Sequence, residues 1–318
     1  MRYIDKTEIR RSLNFDKMIC AIEDAHSRPR IEIQDAMLGT ESSHYFVRHA
    51  VDAGRFMASK LITSFPSNLS RGVLPAIQAI CVLFDGQDGR PLVTVDGTEI
   101  TYWRTAADSA VGAKILARPG IETMLVVGAG EMSRWLVRAH STAHPTLRRI
   151  RIWNRTSDRA AHVAGQLRDE GFDAISVTDL DEAVSTSDLI TTCTRSHTPL
   201  IKGALLRPGT HLDLVGGYTE KTRESDDDAM RRSRVFVDRF ESAFAGVGDI
   251  LTPIAAGVID KSDVLGDLYD LIQGKVQGRT TNEDITVYKN AGGGHFDLIA
   301  AVAVFESSVE DASAKQIA

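Results

Sequence analysis

Behind Asn14, apolar residues recur at helical spacing (Met18, Ile19, Ile22, Ala25), and the asparagine offers the side-chain oxygen that caps a helix start. Between residues 31 and 100 the pattern shortens to that of strands. Runs occur at Ile31–Ile33, Tyr45–Val47, Met57–Thr63, Ile77–Phe84 and Leu92–Val95, with a Gly- and Asp-rich turn at 85–89. An alanine-rich helix is expected from Tyr102 to Ala117, ended by Pro119 and Gly120.

From residue 123 the organisation changes. Met124–Val127 is a continuous apolar run, as a strand buried on both faces of a parallel sheet requires. A glycine loop, a helix over 131–143, a strand at Arg149–Trp153 and a helix over 158–169 follow. Further strands are expected at Leu189–Thr192, Leu212–Val215 and Val235–Val237. This alternation predicts an α/β domain, a Rossmann-type doubly wound parallel sheet. Asp297 to Val309 returns to helical spacing. A chain of 318 residues exceeds one ordinary core, so residues 121–296 are expected as a Rossmann domain inserted in an α+β domain of 1–120 plus 297–318.

Composition narrows the partners. A hydrophobic fraction of 43% and a charged fraction of 25% suit a soluble globular protein. A net charge of -6 argues against nucleic acid or an anionic membrane as the main partner. No apolar run approaches a membrane span, and the start lacks the apolar segment of a secretory signal, so a cytoplasmic location is expected. Cys20, Cys81 and Cys193 are widely scattered and are expected as buried free thiols. No metal site is expected, the run Asp226-Asp227-Asp228 being better suited to a helix start.

The sharpest motif is Gly128-Ala129-Gly130-Glu131-Met132-Ser133, set between a buried strand and a helix. Gly128 permits the turn, Gly130 lets backbone N–H groups reach a pyrophosphate, and the helix N-terminus adds partial positive charge. Ser133 stands at the third, usually glycine, position. The next strand ends in Asn154-Arg155-Thr156, with no carboxylate to repel a 2′-phosphate and a guanidinium and hydroxyl to bind it. NADPH is therefore the expected cofactor, with NADH as the alternative. Thr192, ending a later strand, joins the cofactor-binding candidates.

Several segments in order carry a wider resemblance: MASKLITSFPSN around Lys60, YWRTAADSA around Arg104-Thr105, the VVGAG loop, HLDLVGGYTEKTRESD at 211–226 and YKNAGGGHFDL at 288–298. Together they resemble the ornithine cyclodeaminase/mu-crystallin family over nearly the whole chain. The resemblance implies a homodimer whose outer domain supplies dimerisation and much of the pocket for a small imino or amino acid. It implies that Arg104, and Arg30 as a second fork, hold the substrate carboxylate, while Lys60 relays a proton to the imine. It places Thr105 near the nicotinamide or phosphates, Asn290 to Gly293 (Gly292 included) against the nicotinamide, and Asp297 at the start of the final helix with a catalytic role. His44, Arg48 and His295 are weaker candidates.

One position departs from the pattern. Cyclodeaminases of this family carry an aspartate directly after the glycine pair, where this chain has Tyr218. A phenol, with a reference pKa of about 10, is a poor general base near neutrality. The expectation is therefore one-way, NADPH-dependent reduction of a cyclic ketimine such as 1-pyrroline-2-carboxylate or 1-piperideine-2-carboxylate, giving proline or pipecolate, with a place in proline metabolism. An ornithine cyclodeaminase, a linear amino-acid dehydrogenase and a non-catalytic crystallin-like binding protein are the rival readings.

Overall fold

The computed structural model describes residues 1–317 apart from 41, 69–71 and 73, with side chains described as far as 310. The chain forms two compact units, Met1–Thr105 joined by the residues from Gly293 onward, and Ala106–Gly292. Their borders fall inside a helix and just ahead of the final one, not at 120 and 297.

The first unit is built on a six-stranded sheet ordered β1-β6-β5-β4-β3-β2: β1 (Arg2–Ile4), β2 (Glu32–Thr40), β3 (Ser43–Asp52), β4 (Phe56–Ser64), β5 (Ile77–Asp85) and β6 (Pro91–Asp96). Strands β2 to β6 pair antiparallel, and β1 joins β6 in parallel. Helices α1 (Lys6–Ser12) and α2 (Phe15–Ser27) start on Asp5 and Asn14, whose side chains accept first-turn N–H groups. The expected asparagine cap is thus present. The hairpin of β2 and β3 is much longer than its short apolar runs, because β2 is exposed almost throughout and shows no clean apolar alternation. Helix α3 (Gly97–Leu116) begins before Tyr102, since Asp96 accepts from Thr98 N–H at 3.0 Å and Glu99 N–H at 2.9 Å. The C-terminal helix, Gly294–Ile317, packs across β3 and β4.

The second unit carries an eight-stranded, fully parallel sheet. Its elements are β7 (Thr123–Val127), α4 (Glu131–Ala143), β8 (Arg149–Trp153), α5 (Ser157–Asp169), β9 (Ala174–Ser176), β10 (Leu189–Thr192), β11 (His211–Leu214), β12 (Ser233–Val237), β13 (Val264–Asp267) and β14 (Ile285–Lys289). The order β13-β12-β14-β11-β10-β7-β8-β9 reverses direction at β7. In such sheets ligands bind outside the carboxyl ends of the strands at that reversal. The expected doubly wound sheet is present, and β9, β13 and β14 extend it beyond the strands expected from the pattern. Every residue of β7 is buried, which explains its unbroken apolar run.

Cys20 departs from expectation: it is exposed on α2, whereas Cys81 is buried and Cys193 half-buried. Among the described residues no helix is long and apolar enough to cross a membrane.

His140 on α4, His144 just after it and His211 on β11 act on one another electrostatically. His140 Nε2 lies 3.3 Å from Asp213, and His211 Nδ1 lies 2.9 Å from the Thr286 hydroxyl. Burial, then His140 and Lys114, lowers His144 to about 4, and burial with His140, Arg279 and His144 holds His211 well below its ordinary value. Neutral in the fold, both bind protons more readily once unfolded, so they favour folding above about pH 6.5 and oppose it as the pH falls toward 4. The melting temperature should drop across that window, and less steeply in His144→Gln. Identical slopes for the two proteins would remove His144 from the account.

Candidate active site

Strand register brings the first charged cluster together. Arg48 on β3 pairs with Lys60 on β4, Asp35 on β2 pairs with Arg48, and Cys81 on β5 pairs with Lys60, so all four share one sheet face. The C-terminal helix crosses that face and brings Asp297 in its first turn. Lys60 Nζ donates to Asp297 Oδ1 at 2.9 Å, with side chains only 3% and 2% exposed. Lys60 also donates to the Thr101 hydroxyl on α3. One turn further along α3, Arg104 Nε stands 3.5 Å from the same Asp297 oxygen. Arg48 Nε lies 3.3 Å from Asp35.

The electrostatics follow from burial. Desolvation lowers the Lys60 pKa, Asp297 resists that shift, and the neighbouring Arg104 and Arg48 add to it. For Asp297 burial alone would raise the pKa, but Lys60, Arg104 and Arg48 together hold it below the ordinary carboxylate range. Burial pushes the Cys81 thiol up to about 12, so it is an inert neighbour of this cluster.

Of the residues expected around the substrate, Lys60, Arg104 and Asp297 are brought together. Arg30 is not: it is exposed in the connection between α2 and β2. Arg48, the weaker candidate, occupies the cluster instead. Its position was visible only through the β3–β4 register, which sequence spacing does not fix. Asp35 and Thr101 went unmarked, each being a polar residue in a segment without motif. His44 sits near the start of β3, paired with Ser64, away from the cluster. His295 is fully buried, its ring 5.4 Å from that of His26 and 4.0 Å from that of Phe296. Thr105 is buried beside Arg104 on α3.

The second unit presents the dinucleotide loop at the carboxyl end of β7. Gly128 has φ +123°, and a Cβ there would lie 2.9 Å from the Cys193 carbonyl oxygen, so only glycine fits. Gly130 is the N-cap of α4, has no side-chain cap bond, and a Cβ on it would meet nothing within 4 Å. The first-turn N–H groups therefore lack a capping side chain and border open space at the exposed Gly130 and Glu131, with Ala129 and Met132 half-buried alongside. A pyrophosphate fits that chemistry. The Ser133 hydroxyl turns inward and donates to the Gly130 carbonyl at 2.6 Å, which is how serine serves at the third position. At the end of β8, Asn154 Nδ2 donates to the Thr156 carbonyl at 3.0 Å. Arg155 and Thr156 are exposed, and Thr156 caps α5 without a side-chain bond.

Thr192, at the end of β10, is fully buried and its hydroxyl donates to Glu224 at 2.7 Å, beneath the loops. Glu224 also accepts from Thr194 N–H at 2.7 Å, Gly216 N–H at 2.7 Å and Gly217 N–H at 3.2 Å. A Cβ on Gly216 would fall 2.0 Å from the Thr194 carbonyl oxygen and 2.6 Å from Glu224, and one on Gly217 2.0 Å from Asp249, which explains the glycine pair. Asp249 in turn accepts from Glu224 N–H at 2.7 Å and from Lys289 Nζ at 3.1 Å. Asp238 accepts from Ala291 N–H at 2.8 Å and from Gly292 N–H. Burial outweighs those bonds and raises Asp238 to about 6. The loops that follow β10, β11, β12 and β14 are thus tied to buried carboxylates. Sequence reading missed these acids; the usable signal was charge against apolar residues, as in VFVD, which ends in Asp238, and GDIL, which holds Asp249. Asp226 caps a short helix at Asp227–Arg231, as expected, and Tyr218 is 54% exposed just after the glycine pair.

The model of the ornithine cyclodeaminase/mu-crystallin family matches residues 39–312. A Delta(1)-pyrroline-2-carboxylate reductase of Paracoccus denitrificans is 38% identical over 289 residues, covering 91% of each chain. The ketimine reductase mu-crystallin of Mus musculus is 32% identical over 256 residues, 79% of this chain and 76% of the relative. Among solved structures, Thermococcus litoralis Delta(1)-pyrroline-2-carboxylate reductase in complex with NADH and L-proline aligns with a TM-score of 0.90 at 26% identity, over 98% of both chains.

Removing the anion from the cationic cluster should be costly. Asp297→Ala leaves the buried Lys60 ammonium without its 2.9 Å partner and should lose about 3–5 kcal/mol of unfolding free energy in urea titration. The pair Lys60→Met with Asp297→Leu should recover most of that loss. Equal destabilisation of the single and double variants would show that the ion pair is not what holds the helix to β4.

Proposed function

We propose that this chain, which belongs to the ornithine cyclodeaminase/mu-crystallin family, is an NADPH-dependent oxidoreductase that reduces a cyclic ketimine carboxylate to the cyclic amino acid. The observation that carries the reading is the cluster of Lys60, Arg104 and Arg48 around one fully buried carboxylate, Asp297. Three cations converging on one buried anion suit a small substrate that brings a carboxylate of its own. Guanidinium forks are the preferred hold for such a group, so Arg104 and Arg48 would bind it.

Lys60 then supplies the proton. Its pKa is lowered by burial and by the two arginines, so it parts with a proton more readily than a surface lysine. Transfer to the ring nitrogen turns the neutral imine into an iminium, whose carbon accepts an electron pair. Asp297, held ionised at 2.9 Å from Lys60, keeps the ammonium aimed and offsets the transient positive charge. Bound NADPH supplies the hydride. The products are the amine and the oxidised cofactor, and Lys60 regains its proton from water.

The preference for NADPH rests on Arg155, exposed beside Thr156 with no carboxylate at 154–156. A panel of pyrroline and piperideine 2-carboxylates, with pyruvate plus ammonia and ornithine as rivals, read by loss of absorbance of the reduced cofactor, tests the whole reading. Turnover of a cyclic imine with NADPH is expected. Arg155→Ala should raise KM for NADPH about tenfold or more, the value of a charge-assisted hydrogen bond, and leave KM for NADH unchanged. Equal efficiency of NADH in the unaltered protein would overturn the cofactor preference, and ammonia release from ornithine without added reductant would overturn the reaction.

The same reading includes a homodimer. On the sheet face opposite Lys60, Leu38 aligns with Tyr45, and Val47, Leu61 and Ile80 align beside them. Leu38, Tyr45 and Ile80 are 70%, 38% and 41% exposed. A contiguous apolar sheet face of this kind suits a second copy of the chain. Light scattering should give twice the 34.7 kDa chain mass, and Leu38→Arg with Ile80→Glu should give the monomer. A monomeric unaltered protein at micromolar concentration would refute the dimer.

A further inference from the structure

Inside the second unit, hydrogen-bond polarity runs in one direction from β11 to the loop after β14. Asp213, fully buried on β11, accepts on both oxygens: from the Ser109 hydroxyl at 2.9 Å on one, and from Thr191 at 2.6 Å with His140 at 3.3 Å on the other. Because Ser109 spends its only proton on the carboxylate, its oxygen can only accept from Asn290. Asn290 Nδ2 donates to it at 3.1 Å. The amide is therefore fixed with its nitrogen toward Ser109 and its carbonyl oxygen Oδ1 turned the opposite way. Neighbouring contacts hold the same segment in register. Asp108, adjacent to Ser109 on α3, accepts from the Tyr288 hydroxyl at 2.6 Å, and a Cβ on Gly112 would lie 2.7 Å from the Tyr288 ring. Asp238 grips the next two N–H groups, of Ala291 and Gly292.

Asn290 follows β14, which lies beyond β10 and β11 on the side of β7 opposite β8 and β9. In a doubly wound sheet the second nucleotide half, here the nicotinamide, occupies the carboxyl ends of those strands. The nicotinamide carboxamide has an NH₂ group that needs an acceptor. We propose that Ser109 and Asp213 are positioning residues that orient Asn290 so that its Oδ1 accepts from the carboxamide N–H of the nicotinamide. The proposal rests on the reading above that a nicotinamide dinucleotide occupies this edge.

The test compares three ligands by calorimetric titration of the full chain, without substrate: NADPH, its thionicotinamide analogue, which keeps the NH₂, and its 3-acetylpyridine analogue, which replaces it by methyl. The unaltered protein should bind the acetylpyridine analogue about tenfold more weakly than NADPH and the thio analogue nearly as well as NADPH, the difference expected for one buried hydrogen bond. Ser109→Ala and Asn290→Ala should each bring NADPH and the acetylpyridine analogue to within about threefold, and the double variant should lose no more than either single one. A role confined to stability would alter melting but leave the ratio between ligands intact. Equal binding of NADPH and the acetylpyridine analogue by the unaltered protein, or full discrimination by Ser109→Ala, overturns the proposal. Failure of all three ligands to bind would instead overturn the cofactor reading beneath it. Should Ser109→Ala fail to fold, Asp213→Asn, which weakens the acceptor that orients Ser109, takes its place, and full discrimination by it overturns the proposal.

Discussion

A charge taken out of water must find a partner, and that constraint organises both units. Each unit carries a lysine that is almost wholly buried: Lys60 against Asp297 at 2.9 Å, and Lys289 against Asp249 at 3.1 Å. Desolvating an unpaired ammonium would cost several kcal/mol, a large part of the net stability of any domain. The C-terminal helix therefore has to deliver Asp297 to β4, and the helical segment containing Asp249 has to pack beneath β14. A fold satisfying both requirements has fixed the geometry of its polar groups before any ligand arrives.

The two pairs serve different ends. Around Lys60 cations outnumber the buried anion, since Arg104 and Arg48 act on Asp297 as well. That imbalance is useful where a substrate carboxylate is to be bound and an imine nitrogen protonated, because the attraction is strongest away from water. Around Lys289 the acids are in excess, with Glu224, Asp249 and Asp238 all fully buried. Their oxygens are spent on backbone N–H groups of the loops after β10, β11, β12 and β14. On the proposed reading the first cluster serves chemistry, while the second ties down loops. Rigid loops matter in hydride transfer, where catalysis depends mainly on holding donor and acceptor in reacting geometry.

What sequence could show follows from which forces are local. The glycine loop, the asparagine cap at Asn14, and the buried runs of β7 and β11 depend on neighbours in the chain, and they were legible. The β2–β3 hairpin was legible only at the start of β2 and in the first half of β3, because β2 is exposed on nearly every residue and so lacks a two-residue apolar period. Lys60, Arg104 and Asp297 were reached by resemblance; nothing in their local spacing brings residues 60 and 297 together. Arg48 and Arg30 illustrate the limit. Both are arginines near the start of the chain, and only the pairing of β3 with β4 puts Arg48 beside Lys60 while Arg30 stays in an exposed turn. Thr192 shows a related limit: a hydroxyl at a strand end can face a ligand or a buried acid, and the acid it bonds, Glu224, lies 32 residues away.

The glycine pair shows how rigidity and chemical variation coexist at one edge. Gly216 is dictated by the Thr194 backbone, with Glu224 behind it, and Gly217 by Asp249, which leave no room for a Cβ. Tyr218 follows at once, its N–H bonded to the Gly216 carbonyl at 3.0 Å, yet its side chain is 54% exposed. The backbone at position 218 is thus set by buried groups that do not touch the side chain it carries. A carboxylate or a phenol can stand there without disturbing the loop, so the chemistry offered at this point is decoupled from the stability of the site. With a phenol, the position provides no carboxylate to carry protons through oxidation, ring closure and loss of ammonia. Reduction of an imine already formed needs none of those steps: it asks for one proton, for which Lys60 is the proposed donor, and one hydride.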